Sequence, residues 1–227
     1  MTEVAARLQG CQRRLTLAAL AAHRDAAEIT LLAVSKTKSA DAIREAAAAG
    51  QRQFGESYVQ EAVDKIQLLA DLGLTWHFIG PLQSNKSRLV AEHFDWVQSL
   101  DRLKIAERLS QQRPRNRGPL QVCIQVNISD EPQKAGVSVA ELPALVAAVR
   151  ALPGLQLRGL MAIPEPSSDP QLQRQPFARM RALFDDLRHT DHQIDTLSMG
   201  MSDDLEAAVA EGSTMVRVGT AIFGSRV

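Results

Sequence analysis

The sequence predicts an α/β fold, a (β/α)8 barrel of the TIM type, and three observations carry that prediction. Short apolar runs alternate with longer stretches of helical periodicity, the pattern of a parallel sheet with helices packed outside it. The runs number eight, the count that closes a barrel. No GxGxxG follows the first run, so a doubly wound open sheet is only the runner-up.

Each element can be justified in chain order. The first segment, MTEVAARLQGCQRRLTLAALAAH, has the apolar spacing of an amphipathic helix. Glu3, Arg7, Arg13 and Arg14 interrupt its apolar residues, so it does not read as a secretory signal. No window approaches the ~20 apolar residues of a membrane span, and a soluble, cytoplasmic protein is expected. Strands are expected at LLAVSK (31–36), RQFGE (52–56), TWHFIG (75–80), DWVQS (95–99), LQVCIQVN (120–127), LQLRGLMAI (155–163), DTLSMG (195–200) and TMVRVG (214–219).

Between them, Ser39 precedes DAIREAAAA and Gly50 follows it, a helix start and exit. Ser57 leads YVQEAVDKIQLLA in the same way. Ser138 and Glu141 fit a capping box, although Pro143 blurs where that helix begins. Ser202 precedes DDLEAAVAEG, where Asp203 and Asp204 suit the positive end of the helix dipole and Gly212 suits the exit. Only AIFGSRV follows the last strand, so the usual closing helix is missing and the N-terminal helix is expected to complete the outer ring. The Pro/Gly/Ser-rich pieces at 113–119 and 164–170 are loop-sized, which makes residues 1–227 one domain.

Composition excludes several classes of function. Lys+Arg and Asp+Glu both number 26, so there is no basic excess to hold nucleic acid. Hydrophobic residues make up 45% and charged residues 23%, a globular balance. A chain of 227 residues buries about 70% of its unfolded surface and needs no disulfide or metal staple. Cys11 and Cys123 have no zinc or disulfide spacing, which fits a reducing compartment.

In such a barrel, reactive groups belong at the carboxyl ends of the strands. Lys36 ends the first strand on the face of Leu32 and Val34. An ammonium at an apolar rim is poorly solvated, which favours the free amine needed for a Schiff base; the plainer reading is a lysine snorkelling at a strand end. Arg217 shares a face with Met215 and Gly219, while Val216 and Val218 share the other, and parity alone leaves open which face is interior. Facing inward it needs an anion or strong acceptor; facing outward it is a salt-bridging arginine between helices.

SMGMS (198–202) and VGTAIFG (218–224) add glycines and hydroxyls after the last two strands, where barrels often bind phosphate. His77 is an acid–base candidate or a hydrogen-bonded core residue. Asn127 contacts a ligand or caps a loop, Lys134 is solvated loop charge, and Cys123 is a packed thiol. His189 and His192 flank Asp191 without further matching ligands, so no metal site is expected.

AVSK at Lys36, FGESYVQE (54–61), WHFIGPLQSNK (76–86), QVNISDEPQKAG (125–136), GLMAI (159–163), LSMGMSDD (197–204) and VRVGTAIFG (216–224) together resemble the pyridoxal-phosphate homeostasis protein family. The resemblance runs in order from about residue 30 to the C-terminus. It implies a fold-type III pyridoxal-phosphate barrel similar to the N-terminal domain of alanine racemases. It further implies that Lys36 carries pyridoxal 5′-phosphate as a Schiff base and that Arg217 contacts the pyridine nitrogen. By the same match Ser202, Gly219 and Thr220 would hold the phosphate, and Met161, Met199 and Gly200 would line the pocket. His77 and Ser57 complete the candidate set. Ser57 stands where the family usually has asparagine, which puts any contact of that amide in doubt.

What the resemblance implies is a cofactor carrier that keeps the free cofactor level in check and supplies apo enzymes, with no catalytic residue of its own; a closed barrel without an obvious hydrophobic tail is expected to be a monomer. An arginine against the pyridine nitrogen leaves the ring neutral and a poor electron sink. A racemase of this barrel type is expected to need a second domain, and only a few residues follow the eighth strand. The sole tyrosine, Tyr58, begins a helix early in the chain. A low-activity amino-acid racemase and a cofactor-free Schiff-base aldolase using Lys36 remain the competing readings.

Overall fold

Eight parallel strands close into a barrel in the order β1 to β8, in a computed structural model that describes residues 2–131, 134–167 and 169–224. The elements are α1 (Glu3–Ala21), β1 (Thr30–Val34), α2 (Ala40–Ala48), β2 (Gln53–Glu56), α3 (Val59–Leu68), β3 (Thr75–Phe78), α4 (Ser87–His93), β4 (Trp96–Leu100), α5 (Leu103–Gln112), β5 (Leu120–Gln125), α6 (Leu142–Arg150), β6 (Leu155–Met161), α7 (Pro170–Thr190), β7 (Thr196–Ser198), α8 (Leu205–Ala210), β8 (Met215–Val218) and α9 (Thr220–Phe223). All eight expected strands are present, each within its expected segment or overlapping it.

Helix α1 buries Leu8, Cys11, Leu15, Ala18 and Ala19, a stripe at three- and four-residue spacing. It packs against α8, α9 and α2 and so closes the outer ring where the short α9 cannot. No helix among the described residues is long and apolar enough to cross a membrane.

The helix starts follow the expected logic in part. Ser39 Oγ accepts from Ala42 N–H at 3.2 Å and caps α2. Ser138 and Glu141 form the reciprocal capping-box bonds, at 3.2 and 3.3 Å, and Pro143 sits in the first turn of α6. Two expected caps are corrected. The residue before α3 is Tyr58, not Ser57, and it makes no side-chain cap. The residue before α8 is Asp204, not Ser202, and its carboxylate accepts the Met201 N–H at 2.5 Å, tightening the loop ahead of the helix.

The interior face of the barrel is unusually polar. The ladder sets Leu32 beside Arg217, Gly55 beside His77, His77 beside Trp96 and Met161 beside Ser198, so these side chains share the inner layers. Gly55 makes room there: a Cβ would stand 3.2 Å from both Leu32 Cδ2 and Ile79 Cδ1. Between β5 and β6 the register shifts by one residue, past Val122. Gly159, at φ +156°, is placed so that a Cβ would lie 1.8 Å from the Thr196 carbonyl oxygen; only glycine fits. A cleft lined by Gln156, Arg158, Gln193 and Asp195 lies at the amino-terminal end of the strands.

Candidate functional site

The carboxyl end of the barrel collects the site. Lys36 follows β1 and is half-buried, and its amine has no hydrogen-bond or ion-pair partner among the described residues. On the adjoining strand, Arg217 is 4% exposed and points inward, which resolves the parity left open by its strand. Its Nη1 donates to Ser198 Oγ at 2.7 Å and its Nη2 to the Ala162 carbonyl at 2.9 Å. Among the described residues no carboxylate pairs with it, and burial lowers its pKa to about 10, still cationic at neutral pH. A guanidinium has five N–H donors, and these two bonds leave three.

The charge of Arg217 heads a chain of hydrogen bonds across the barrel. Ser198 Oγ donates to Gln98 Oε1 at 2.6 Å, and Gln98 Nε2 meets His77 Nδ1 at 2.9 Å. His77 Nε2 in turn lies 2.6 Å from Gln53 Oε1. The amide groups fix the tautomer: Nδ1 must accept from Gln98 and Nε2 must donate to Gln53. His77 is therefore neutral, and burial pushes its pKa down to about 3. It stacks on Trp96 with ring centroids 5.1 Å apart. Every donor in the chain points away from Arg217, which spreads a buried cation over five strands.

The remaining candidates border the same end. Met161, Met199 and Gly200 are buried at the ends of β6 and β7. Gly200 has φ +92°, a Cβ there would lie 2.4 Å from Ala208 Cβ, and its carbonyl accepts the Arg217 N–H at 3.0 Å. Ser202 is half-buried, and its carbonyl accepts from Arg14 Nη1 at 2.6 Å. Gly219 follows β8 against the end of β1, where a Cβ would stand 3.3 Å from the Val34 carbonyl oxygen. Thr220 is exposed and opens α9. Ser57 lies past the end of β2, its carbonyl oxygen 2.4 Å from where a Gly80 Cβ would sit.

The structure thus brings Lys36, Ser57, Met161, Met199, Gly200, Ser202, Arg217, Gly219 and Thr220 to one end of the barrel. His77 sits apart from them, inside the barrel and two side chains away from Arg217. Asn127 caps its own loop through bonds to Glu131, at 2.7 and 3.3 Å, and Lys134 pairs with Glu131. Cys123 is fully buried, and burial raises its thiol pKa strongly.

Sequence reasoning missed Gln53, Gln98 and Ser198, and the cluster of Glu56, Glu61 and Lys65. The signals were present. Gln98 and Ser99 are polar side chains at buried positions of a short strand run, and Lys65 occupies the buried stripe of α3 between Ala62 and Leu69.

This geometry defines a class: a barrel of the alanine racemase type. The family model described as "Alanine racemase, N-terminal domain" matches residues 14–227. The alanine racemase of Corynebacterium glutamicum shares the fold, with a TM-score of 0.75 at 17% identity over 98% of this chain and 61% of that one. The pyridoxal phosphate homeostasis protein of Pseudomonas aeruginosa is 59% identical over 226 residues, 100% of this chain and 97% of that protein. PipY of Synechococcus elongatus, solved with PLP bound, has a TM-score of 0.81 and 41% identity over 97% of this chain and 100% of its own. The chain belongs to the pyridoxal phosphate homeostasis protein family.

Proposed function

We propose that this chain, one barrel domain over residues 1–227, binds pyridoxal 5′-phosphate as a Schiff base on Lys36 and holds it for delivery in the cytoplasm, without efficient turnover. The observation that carries this reading is an amine at the barrel mouth, just past β1, that has no partner among the described residues, with a buried arginine on the adjoining strand that no described carboxylate pairs. The PLP-bound structure of PipY and the name of the Pseudomonas aeruginosa relative support it. The two free, buried cysteines, Cys11 and Cys123, suit a reducing compartment.

The donor set fits the cofactor. Lys36 supplies the amine for the aldehyde. Arg217 has donors to spare for the pyridine nitrogen, and because a guanidinium keeps its proton, the nitrogen it faces stays unprotonated. Ser202, Gly219 and Thr220 offer hydroxyl and backbone donors at the ends of β7 and β8, where barrels hold phosphate. Met161, Met199 and Gly200 wall the mouth, Ser57 borders it from β2, and His77 supports Arg217 from within. Pyridoxal phosphate supplies a reactive aldehyde and an electron sink that works best with a protonated ring. Arg217 opposes that protonation, and His77, with both nitrogens engaged, is not free to shuttle a proton.

Apo enzymes that use the cofactor are the recipients we assign, and a monomer suffices for the role. The experiment is the visible spectrum of the purified protein with added cofactor, followed by borohydride reduction and peptide mapping. The pyridoxyl adduct is expected on Lys36. An adduct chiefly on Lys38 or Lys86 refutes the assignment.

A further inference from the structure

Lys36 sits in a turn whose backbone is held from α3. Thr37 adopts φ +63°, a left-handed conformation that β-branched residues rarely take, so something outside the turn must stabilise it. Its N–H donates to Glu61 Oε1 at 2.6 Å. On the other side of Lys36, the Ser35 carbonyl accepts from Lys65 Nζ at 2.9 Å. Glu61 and Lys65 lie one turn apart on α3 and pair with each other at 2.5 Å. Lys65 also pairs with Glu56 at 2.9 Å, and the same Glu56 oxygen accepts Ser35 Oγ at 2.7 Å.

Three features separate this cluster from an ordinary ion pair. Lys65 and Glu56 are 7% and 0% exposed, and Glu56 Oε2 has no hydrogen-bond partner among the described residues. Burying such a pair is costly, and apolar replacements of similar volume are often neutral or better for stability. Apolar side chains cannot, however, bind the two backbone groups that flank Lys36. Finally, an ammonium has three donors, and Lys65 spends all three on Ser35, Glu56 and Glu61, so it is no rival nucleophile.

We propose that Glu56, Lys65 and Glu61 are positioning residues that lock the Ser35–Thr37 turn and aim the Lys36 amine at the cofactor aldehyde. The proposal rests on Lys36 being the Schiff-base lysine. In the step they serve, the Lys36 nitrogen lone pair forms a bond to the aldehyde carbon and the carbonyl oxygen leaves as water. Nothing is oxidised or reduced, and the two protons of the Lys36 amine leave with that oxygen.

The test measures how fast the visible band appears on mixing the cofactor-free protein with pyridoxal phosphate, alongside melting temperature and adduct mapping. Glu61→Ala removes the Thr37 acceptor from a partly exposed position. Lys65→Met with Glu56→Gln removes the buried cation together with the buried anion, leaving only the partly exposed Glu61 without its pair. Both are expected to slow Schiff-base formation about 10- to 100-fold and to shift part of the adduct away from Lys36. Glu61→Gln keeps an oxygen for Thr37 and should restore most of the rate. Wild-type rates with all the adduct on Lys36 in Glu61→Ala would overturn the proposal, and that variant decides the matter even if the double variant misfolds. If the wild-type adduct itself lies elsewhere, the assignment of Lys36 fails instead.

Discussion

His77 makes a stability experiment possible that reads the barrel interior directly. Its pKa falls from an ordinary 6.5 to about 3 because burial disfavours the imidazolium. Its Nδ1 also faces an amide N–H of Gln98, which leaves no place for a second ring proton. Above pH 6.5 both folded and unfolded chains carry the neutral ring, and the contribution is fully present. As the pH falls toward 3, the unfolded chain takes a proton that the folded chain refuses, and stability is lost. The slope is about 1.4 kcal/mol per pH unit, so about 2 kcal/mol disappears between pH 7.5 and pH 5. The perturbation that isolates it is His77→Gln, whose amide offers an acceptor to Gln98 and a donor to Gln53 but does not titrate. Losing the Trp96 stack costs something, at every pH alike. Glu56 works in the opposite sense, because burial raises its pKa and adds stability as pH falls, but it is common to both proteins and cancels. Urea unfolding at several pH values should show the wild-type advantage over His77→Gln shrinking by about 2 kcal/mol across that range. A difference constant to within about 0.5 kcal/mol would mean that His77 accepts a proton in the folded barrel, and the directed chain from Arg217 would be wrong.

Other outcomes follow from the same geometry. Arg217→Glu should weaken cofactor affinity at least about tenfold and move the visible band toward that of a protonated ring; an unchanged spectrum and affinity would show that the side chain does not face the ring. Gly159→Ala should cost more than about 4 kcal/mol, because the new methyl meets the Thr196 carbonyl at 1.8 Å; thermal melting near the wild-type value would contradict the packing. Cys11 and Cys123 should resist thiol reagents until urea unfolds the chain, since burial raises both thiols, and stoichiometric labelling of the native protein would disprove it. With cofactor bound, deuterium exchange at Cα of L-alanine in heavy water should stay far below ordinary enzyme rates of about 1–10³ s⁻¹. Exchange at such rates would promote the racemase reading.

The fold was legible because parallel strands buried on both faces are written as apolar runs, and eight of them separated by helices leave little choice of topology. Helix α1 was legible for the same reason: its stripe from Leu8 to Ala19 demands a partner surface, and it finds one against α8, α9 and α2. Exact helix starts were not. Ser57 and Ser202 look like caps locally, but the close passage of Ser57 against Gly80 and the Asp204 carboxylate on Met201 are set by tertiary contacts that no local pattern encodes. Lys36 and the glycine- and hydroxyl-rich runs after β7 and β8 could be singled out because they sit at strand ends, and the family resemblance supplied the individual roles of the other rim residues. The chain beneath them could not be read, because it joins residues from β2, β3, β4, β7 and β8 whose pairing exists only once the barrel closes.

That hidden chain also bears on what the barrel is built to do. A buried arginine with no carboxylate must be stabilised by dipoles, and here every dipole is turned the same way, from Ser198 through Gln98 and His77 to Gln53. A proton relay needs a member that can gain a proton on one side and lose one on the other. His77 is the one titratable member besides Arg217, and its free lone pair is already filled by Gln98. The chain therefore transmits charge stabilisation and no proton. Arg217 is held rigidly cationic against whatever occupies the mouth. With Arg217 in the role proposed for it, such a site would favour capture of an electron-rich ring nitrogen and disfavour its protonation, the state that carbanion chemistry requires. On the proposed function, retention without turnover is the expected chemical consequence, which the deuterium-exchange measurement tests.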